Sequence, residues 1–189
     1  MGEAMSDFEK TLPADVRRIV AFHGHYCPGI MMGYLASKIA LERLGAERAE
    51  DEELIAIVEN DSCAADAVQA ITGCTFGKGN FFFRDYGKHV YTFALRPSGR
   101  AVRVSRRADV PEPPEDETRE EKILRMMNTP PGALWRIEEG TIELPETARI
   151  HDTVVCSRCG EPVMVTRTRE IDGETVCQAC IDGRTRLLK

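Results

Sequence analysis

Cys156-Ser-Arg-Cys159 and Cys177-Gln-Ala-Cys180 are two CxxC pairs near the end of the sequence, with 17 residues between them. Two thiolates three positions apart can reach one ion, and four thiolates give Zn²⁺ a closed tetrahedral shell. The spacing lies in the range typical of structural zinc sites. Gly160 follows the first pair, where such a knuckle turns backbone N–H groups toward the sulfur atoms. We therefore predict a structural zinc site with the ligands Cys156, Cys159, Cys177 and Cys180.

The segment between the two pairs also favours a small domain held by metal. Asp172-Gly173 is a turn signal, and the residues on both sides of it predict a hairpin. Two disulfides or a redox-active CxxC are the alternatives. Disulfides require an exported protein, whereas residues 1–10 include no apolar stretch that could act as a signal peptide. Since the total of seven cysteines is also odd, we expect zinc rather than disulfides, and a cytoplasmic protein.

Length and composition bound the rest of the fold. A chain of 189 residues is long enough for one ordinary domain plus a small one. A hydrophobic content of 42% and a charged content of 30% are typical of soluble globular proteins. The longest purely aliphatic run, Leu54–Val58, is far too short to span a bilayer, so no membrane partner is expected.

The acidic excess of the chain lies in its middle. The net charge is −6, and residues 109–150 carry 11 acidic and 5 basic side chains. This segment opens with Pro- and acid-rich residues 109–117, which are typical of a linker, before helical periodicity resumes at residues 120–127. We therefore predict a core of residues 1–108, an acidic and partly helical connector of residues 109–150, and a Cys₄ zinc finger of residues 151–189.

Apolar periodicity and turn residues predict the elements of the core. Helices are expected at residues 13–22, 28–44 and 64–72. Strands are expected at residues 54–58, 80–84, 88–96 and 101–105. Because helices and strands do not alternate regularly, the pattern favours an α+β domain, with helices packed on a mainly antiparallel sheet, over a doubly wound α/β sheet.

Metal-binding side chains gather where the predicted helices begin. His23, His25 and Cys27 are two positions apart, so an extended backbone would point all three the same way. Cys27 and Cys63 each directly precede a predicted helix, and a helix N-terminus lowers the pKa of a thiol. Soft sulfur and borderline nitrogen ligands suit zinc or another transition metal. We therefore predict a second metal ion in the core, expected to be Zn²⁺, with ligands among His23, His25, Cys27 and Cys63.

Two further residues complete the predicted catalytic set. Asp66 lies about one turn after Cys63, where it can orient a partner. Lys78 lies in the glycine-flanked loop 77–79, which lets the backbone approach an anion while the lysine supplies a point charge. The predicted catalytic residues are Cys27, His25, Cys63, Asp66 and Lys78.

Each element of this site also has a purely structural interpretation. A buried cysteine such as Cys74 is usually a packing residue, His23 can be a helix C-cap, and loop 77–79 can be a tight turn. Two cysteines at helix starts beside two histidines are harder to explain by packing, so a functional site is favoured.

Three motifs in the core resemble the FmdE family, which is named after a component of formylmethanofuran dehydrogenase. They are Phe22-His-Gly-His-Tyr-Cys-Pro-Gly-Ile30, Cys63-Ala-Ala-Asp-Ala-Val-Gln69 and Thr72-Gly-Cys-Thr-Phe-Gly-Lys-Gly-Asn80. The resemblance covers residues 10–107, and family members with a C-terminal finger of treble-clef type are similar over the rest. Ala65 departs from the bulkier residue that the family pattern has before Asp66.

The resemblance implies an α+β core with a metal-dependent active site, a separate zinc finger, and homodimers that exchange parts between subunits. It carries the metal site onto His23, His25 and Cys27, and the partner motifs onto Cys63, Asp66, Cys74 and Lys78. The family takes its name from a methanogenesis complex that handles one-carbon units with molybdenum or tungsten.

Two classes of function remain open at this point. In the first, the core is a small metal- or thiol-dependent enzyme, or an accessory subunit of a larger redox enzyme complex in one-carbon metabolism. In the second, the protein is a regulatory or adaptor module whose finger binds a protein or nucleic acid. Five arginines crowd the predicted hairpin of residues 88–105 and the residues just after it, but a neutral finger and an acidic linker argue against nucleic acid as a partner.

The connector also carries apolar residues that have no local core to bury them, and these favour a homodimer: Ile123, Leu124, Met127 and Trp135.

Overall fold

A computed structural model describes residues 6–111 and 113–183, and the chain divides into two compact units, Met1–Ala148 and Arg149–Lys189. The first unit is a layer of helices on a five-stranded sheet, and the second contains two small hairpins. The helices described in the first unit are α1 (Asp7–Thr11), α2 (Ala14–His23), α3 (Pro28–Leu44), α4 (Ala64–Thr72), α5 (Arg119–Asn128) and α6 (Pro131–Leu134).

Local signals explain where these helices begin and end. Pro28 is the first residue of α3, where a missing N–H costs no hydrogen bond, and Gly45 ends the helix with a φ of 58°. Thr118 caps α5 through a capping box, in which its hydroxyl accepts the N–H of Glu121 and its own N–H donates to the Glu121 carboxylate.

The sheet of the first unit is mainly antiparallel. Its strands are β1 (Leu54–Val58), β2 (Phe81–Phe83), β3 (Val90–Leu95), β4 (Arg100–Arg106) and β5 (Trp135–Thr141). They lie in the order β2-β1-β3-β4-β5, in which β1 and β2 are parallel and every other pair is antiparallel. The predicted α+β class is confirmed.

Strand β1, which lies between β2 and β3, has its side chains buried on both faces of the sheet. Leu54, Ala56 and Val58 belong to the main core, together with buried residues of α3 and α4. Ile55 points to the other face, where it forms a smaller cluster with Ala94 and Ala101. Because β1 is buried on both sides, its sequence is a continuous apolar run without polar alternation.

The structure corrects the predicted connector of residues 109–150. β5 pairs with β4 from Arg100–Thr141 to Arg106–Trp135, so this segment supplies a strand of the main sheet. Ile123 and Trp135 are 0% and 2% exposed, within the chain's own core. The boundary between the units therefore follows Ala148, and residues 109–148 belong to the first unit.

Residues 142–148 form a strap across the second face of the sheet. Ile142 and Leu144 pack on the cluster around Ile55. At the end of the strap the N–H of Ala148 donates to the Glu52 carboxylate at 3.1 Å. The strap therefore covers apolar residues that the helices do not reach.

The second unit is a pair of antiparallel hairpins and a short helix. Its elements are β6 (Thr153–Val155), β7 (Pro162–Met164), β8 (Thr168–Ile171), β9 (Glu174–Cys177) and α7 (Gln178–Ile181). Asp172 and Gly173 join β8 to β9 with φ values of 52° and 81°, which are those of a type I′ turn. The predicted hairpin is confirmed.

Over residues 6–111 and 113–183, no helix is both long enough and apolar enough to cross a bilayer.

Candidate metal sites

The four cysteines of the finger converge on one point. Their sulfur atoms all lie within 4.8 Å of one another, with 3.8 Å from Cys156 to Cys180 and 3.9 Å from Cys159 to Cys177. A tetrahedral ion with Zn–S bonds of about 2.3 Å needs sulfur atoms about 3.8 Å apart. The sulfur positions therefore fit zinc.

Backbone N–H groups prepare these sulfur atoms for a metal. The N–H of Cys177 donates to the Cys156 sulfur at 3.3 Å, and the N–H of Cys180 donates to the Cys177 sulfur at 3.4 Å. The first of these bonds is the main reason that the pKa of Cys156 is lowered to about 6. Such bonds stabilise the thiolate form that a zinc site requires.

The second cluster lies in the loop between α2 and α3. Gly24 ends α2 in a left-handed conformation with a φ of 99°, and the chain then turns back into α3. One ligand atom each of His23, His25 and Cys27 lies within 4.8 Å of the others. The rings of His23 and His25 are 4.5 Å apart between centroids. The structure thus brings together the three residues that sequence spacing placed on one side.

Asp66 holds His23 from α4. Its carboxylate accepts a hydrogen bond from Nδ1 of His23 at 2.7 Å. Nε2 of the same ring is buried and has no hydrogen-bond partner among the described residues. A carboxylate on one ring nitrogen fixes the tautomer that leaves the other nitrogen free to bind a metal. This hydrogen bond is the kind of contact that the predicted orienting role of Asp66 requires.

Cys63 lies beside this cluster, across Gly29. A Cβ built on Gly29 would stand 3.5 Å from the sulfur atoms of both Cys27 and Cys63, and 2.9 Å from the Cβ of Cys63. Only glycine leaves room for both cysteines here. The position of Cys63 before α4 is confirmed, but burial, followed by the nearby Cys27, raises the pKa of its thiol. The predicted lowering of this pKa by the helix N-terminus is wrong for Cys63, because desolvation of the thiolate is the larger effect.

Lys78 lies away from these groups. Its ammonium group donates to the carbonyl oxygens of Ala49 at 3.3 Å and Glu50 at 3.1 Å. Cys63 precedes α4 and Lys78 follows its far end, and a helix of nine residues spans roughly 13 Å. The loop 77–79 therefore ties the chain to residues 49–50 and does not line the cluster.

Cys74 is a packing residue in this structure. It is completely buried, its sulfur contacts the Leu54 carbonyl at 3.3 Å, and burial raises its pKa to about 11. The purely structural interpretation of this cysteine is the one that its surroundings support.

Sequence reasoning missed a contact between α5 and the loop that joins α2 to α3. The Tyr26 hydroxyl donates to the Glu120 carboxylate, which raises the pKa of Tyr26 and lowers that of Glu120. The guanidinium of Arg119 lies 6.0 Å from the centre of the Tyr26 ring. The acidic first turn of α5 was visible in the sequence, but only the fold brings it to the loop.

Four of the five arginine side chains in and just after the β3–β4 hairpin have oxygen partners within the chain, and that of Arg106 is the exception among the described residues. Arg103 pairs with Glu138 at 2.9 Å, across the β4–β5 pair that the sequence did not predict. The other partners are the Glu146 carbonyl for Arg96, the Leu44 carbonyl for Arg100 and the Asp109 carboxylate for Arg107. These contacts weaken the case for a free phosphate-binding face.

Comparison with known proteins agrees with the division into two units. Residues 22–135 match the family model described as FmdE, molybdenum formylmethanofuran dehydrogenase operon. Residues 150–186 match the model of the prokaryotic dksA/traR C4-type zinc finger. The second unit is therefore a C4-type zinc finger whose four cysteines are those predicted.

Two individual proteins are similar to this chain. A crystal structure of a tungsten formylmethanofuran dehydrogenase FmdE-like protein from Syntrophus aciditrophicus has a TM-score of 0.71 at 23% identity, over 95% of each chain, and shows the shared fold. A probable S-adenosyl-L-methionine-binding protein of Archaeoglobus fulgidus is 30% identical over an alignment 182 residues long. The alignment covers 81% of this chain and 50% of that relative. The chain therefore spans about half the length of the relative.

Proposed function

The chain belongs to the FmdE family, and from that premise we propose that its first unit is a metal-dependent enzyme domain whose ion is held by His23, His25 and Cys27. The observation that carries the proposal is the hydrogen bond that Nδ1 of His23 donates to Asp66, which leaves a buried Nε2 without a partner among the described residues. A buried ring nitrogen without a hydrogen bond is costly unless something binds it. A metal ion removes that cost.

The donor set suits zinc. Two imidazoles and one thiolate match the nitrogen and sulfur ligands that zinc prefers. Cys63 is not among the three residues whose ligand atoms lie together, so three protein ligands leave a fourth position for a substrate. This pattern is that of catalytic zinc sites, whereas structural sites are closed by four protein ligands.

The residues around the cluster have separate tasks in this proposal. Zinc held here would polarise a carbonyl oxygen or lower the pKa of a bound water molecule. Asp66 positions the His23 ring, and the Tyr26–Glu120 contact holds the loop that carries His25 and Cys27. Cys63 is the neighbouring thiol, available as a proton donor or as a nucleophile.

The family description connects this domain with one-carbon chemistry. It refers to the operon of a molybdenum formylmethanofuran dehydrogenase, and the similar crystal structure is named after the tungsten enzyme. We therefore propose that the domain, as an enzyme or an accessory subunit, functions together with a formylmethanofuran dehydrogenase-type redox enzyme.

The experiment is a count of zinc per chain by mass spectrometry on the full-length protein. Wild type is expected to hold two ions, and His23→Ala and Cys27→Ser are each expected to hold one. Cys177→Ser removes a finger ligand and is also expected to hold one ion. Cys74→Ala, which removes a buried cysteine outside both clusters, is the matched control and keeps two. One ion in wild type that survives His23→Ala would disprove a core metal site.

The role of Asp66 has its own measurement. Asp66→Asn removes the carboxylate that fixes the tautomer of His23, and loss of a partner of this kind typically lowers metal affinity by about 10–100-fold. Competition with a chelator on the Co²⁺-loaded protein measures this affinity. An unchanged affinity would contradict the positioning role.

A regulatory or adaptor role for the finger is the second function. Exposed apolar side chains on its β6–β7 hairpin and the following turn favour a protein partner: Val155 is 63% exposed, Met164 54% and Val165 44%. Nucleic acid is a poorer candidate, since residues 151–189 carry equal numbers of acidic and basic side chains. Strong and steeply salt-dependent binding to random-sequence DNA would instead favour nucleic acid over a protein as the partner of the finger.

A further inference from the structure

A cavity of about 380 Å³ opens beside the loop between α2 and α3, within the first unit. Pro28 and Gly29, the first residues of α3, are among the residues that line it. Gly29 is also the residue against which Cys27 and Cys63 pack. The cavity therefore adjoins the proposed metal site at the start of α3.

The floor of the cavity is apolar. Met32, Met126 and Leu134 line it and are only 6%, 4% and 3% exposed, so their positions are fixed by the core. Cavities of a few hundred Å³ with apolar walls and a few convergent polar groups are the usual form of small-molecule sites. The floor thus suits a hydrocarbon portion of a ligand.

The rim of the cavity is cationic. Arg106, Lys122 and Arg125 line it, and none of its described lining residues carries a carboxylate. Arg125 is paired with Glu117 through bonds of 2.6 and 3.0 Å. Among the described residues, neither Arg106 nor Lys122 forms a salt bridge, and the Arg106 side chain forms one hydrogen bond, to the Met32 sulfur at 3.8 Å.

One further feature favours an anion in this cavity, which lies at the start of α3. Cys27 gives α3 no side-chain cap, so among the described residues the N–H of Gly29, in the first turn of this 17-residue helix, lacks the usual side-chain partner.

We propose that this cavity binds a small amphipathic oxyanion, with a carboxylate or phosphate between Arg106 and Lys122 and a hydrocarbon portion on Met32, Met126 and Leu134. Because the cavity is taken to be the substrate site of the metal-dependent enzyme domain, this inference rests on the proposed function. The substrate class is then an organic acid or phosphate ester whose reacting group lies in the part of the cavity lined by Gly29.

The test is calorimetric titration of the full-length protein with hexanoate, hexyl phosphate, butyl phosphate and hexan-1-ol. One or both of the six-carbon anions are expected to bind, and whichever binds more tightly identifies the oxyanion. Hexan-1-ol is expected to bind at least about tenfold more weakly, because it cannot form charge-assisted bonds. Each methylene lost between hexyl and butyl phosphate is expected to lower affinity by about fourfold.

Variants assign the binding to the rim. Arg106→Met and Lys122→Met are each expected to weaken the preferred anion by about tenfold. Lys10→Met removes an exposed lysine of α1 outside the cavity and is the control, with affinity within about twofold of wild type. Thermal unfolding of each variant checks that the unit is folded. Equal binding of hexan-1-ol and the anions, or wild-type affinity in both rim variants, would overturn the proposal.

Failure of this inference and failure of the metal site can be told apart. His23→Ala removes the proposed metal but no group of the cavity, so its affinity for the preferred anion is expected to stay within about twofold of wild type. Two zinc ions per chain with no anion binding would reject the cavity alone. One zinc ion with anion binding intact would reject the core metal alone.

Discussion

The Cα of Gly33 on α3 lies directly against the backbone carbonyl of Ala64 on α4. A Cβ built on Gly33 would stand 2.2 Å from that carbonyl oxygen, a distance that no real side chain tolerates. One turn earlier, Gly29 faces the side chain of Cys63, whose Cβ would lie 2.9 Å from a Cβ built on Gly29. Two glycines four residues apart therefore let α3 approach the start of α4 closely enough to place Cys63 beside Cys27.

Gly33→Ala is predicted to destabilise the first unit by about 3 kcal/mol or more, because the added methyl meets backbone rather than a movable side chain. The measurement is urea unfolding followed by tryptophan fluorescence, since Trp135 is buried in this unit. Gly77→Ala is the matched control and is expected to change stability by less than about 0.5 kcal/mol, because a Cβ there has nothing within 4 Å. Equal stabilities of the two variants would contradict the close approach of α3 and α4.

Cys177→Ser is predicted to unfold the finger and leave the first unit intact. Among its described residues the finger buries only Cys156, Val176 and Cys177 as its core, so metal binding supplies most of its folding free energy, on the order of 10 kcal/mol for sites of this kind. Limited proteolysis with mass spectrometry should show rapid cleavage within residues 149–183 and a resistant first unit. A variant that keeps full zinc content and protease resistance would disprove this dependence.

Glu117→Gln is predicted to lower stability at neutral pH but not in acid. The bond from Arg125 lowers the pKa of Glu117, so its carboxylate stabilises the fold above its ordinary pKa of 4.5, and that contribution is lost as the pH falls through the lower folded value. The urea midpoint of the variant should lie below that of wild type at pH 7, and the two should converge as the pH falls below 4.5. Glu115→Gln, an exposed neighbour, is the control. A difference that persists unchanged in acid would show that the loss is not electrostatic.

A homodimer remains a prediction from the family resemblance. The apolar residues that also favoured it are largely explained within one chain, since Ile123 and Trp135 are buried in its own core, whereas Leu124 is 44% exposed. Sedimentation velocity at micromolar concentration is expected to give the mass of two chains. A monomer under these conditions would rule the dimer out.

The finger could be predicted from sequence because its signals are local. The spacing of the four cysteines defines the ligand set, and Asp172-Gly173 specifies the turn of its second hairpin. Both depend on residues at most 24 positions apart, counted from Cys156 to Cys180. The helix boundaries at Pro28 and Gly45 could be predicted for the same reason.

The remainder of the fold depends on contacts between distant residues. β5 was missed because it follows two prolines, carries Glu138, Glu139 and Gly140, and lies at the edge of the sheet, where polar residues are tolerated. Its partner β4 ends at Arg106, well before β5 begins at Trp135, so no local pattern marks the pairing. This omission produced the predicted connector.

The core cluster was predicted in part. His23, His25 and Cys27 are close in sequence, so their convergence follows from one turn of the chain. Lys78 was grouped with them because its glycine-flanked loop suits an anion and because the family resemblance includes it, but the length of α4 separates it from Cys63. The raised pKa of Cys63 depends on burial, which only the packed structure reveals.

The strap of residues 142–148 also sets the order of events during synthesis. Ile142 and Leu144 cover the second face of a sheet whose first strand begins at Leu54. A ribosome must therefore deliver residue 148 before that sheet is covered on both faces, and domains of a nascent chain generally fold as units, the N-terminal one first. The finger, Arg149–Lys189, is made next, so its cysteines can close around zinc only after the FmdE unit has received all of its residues.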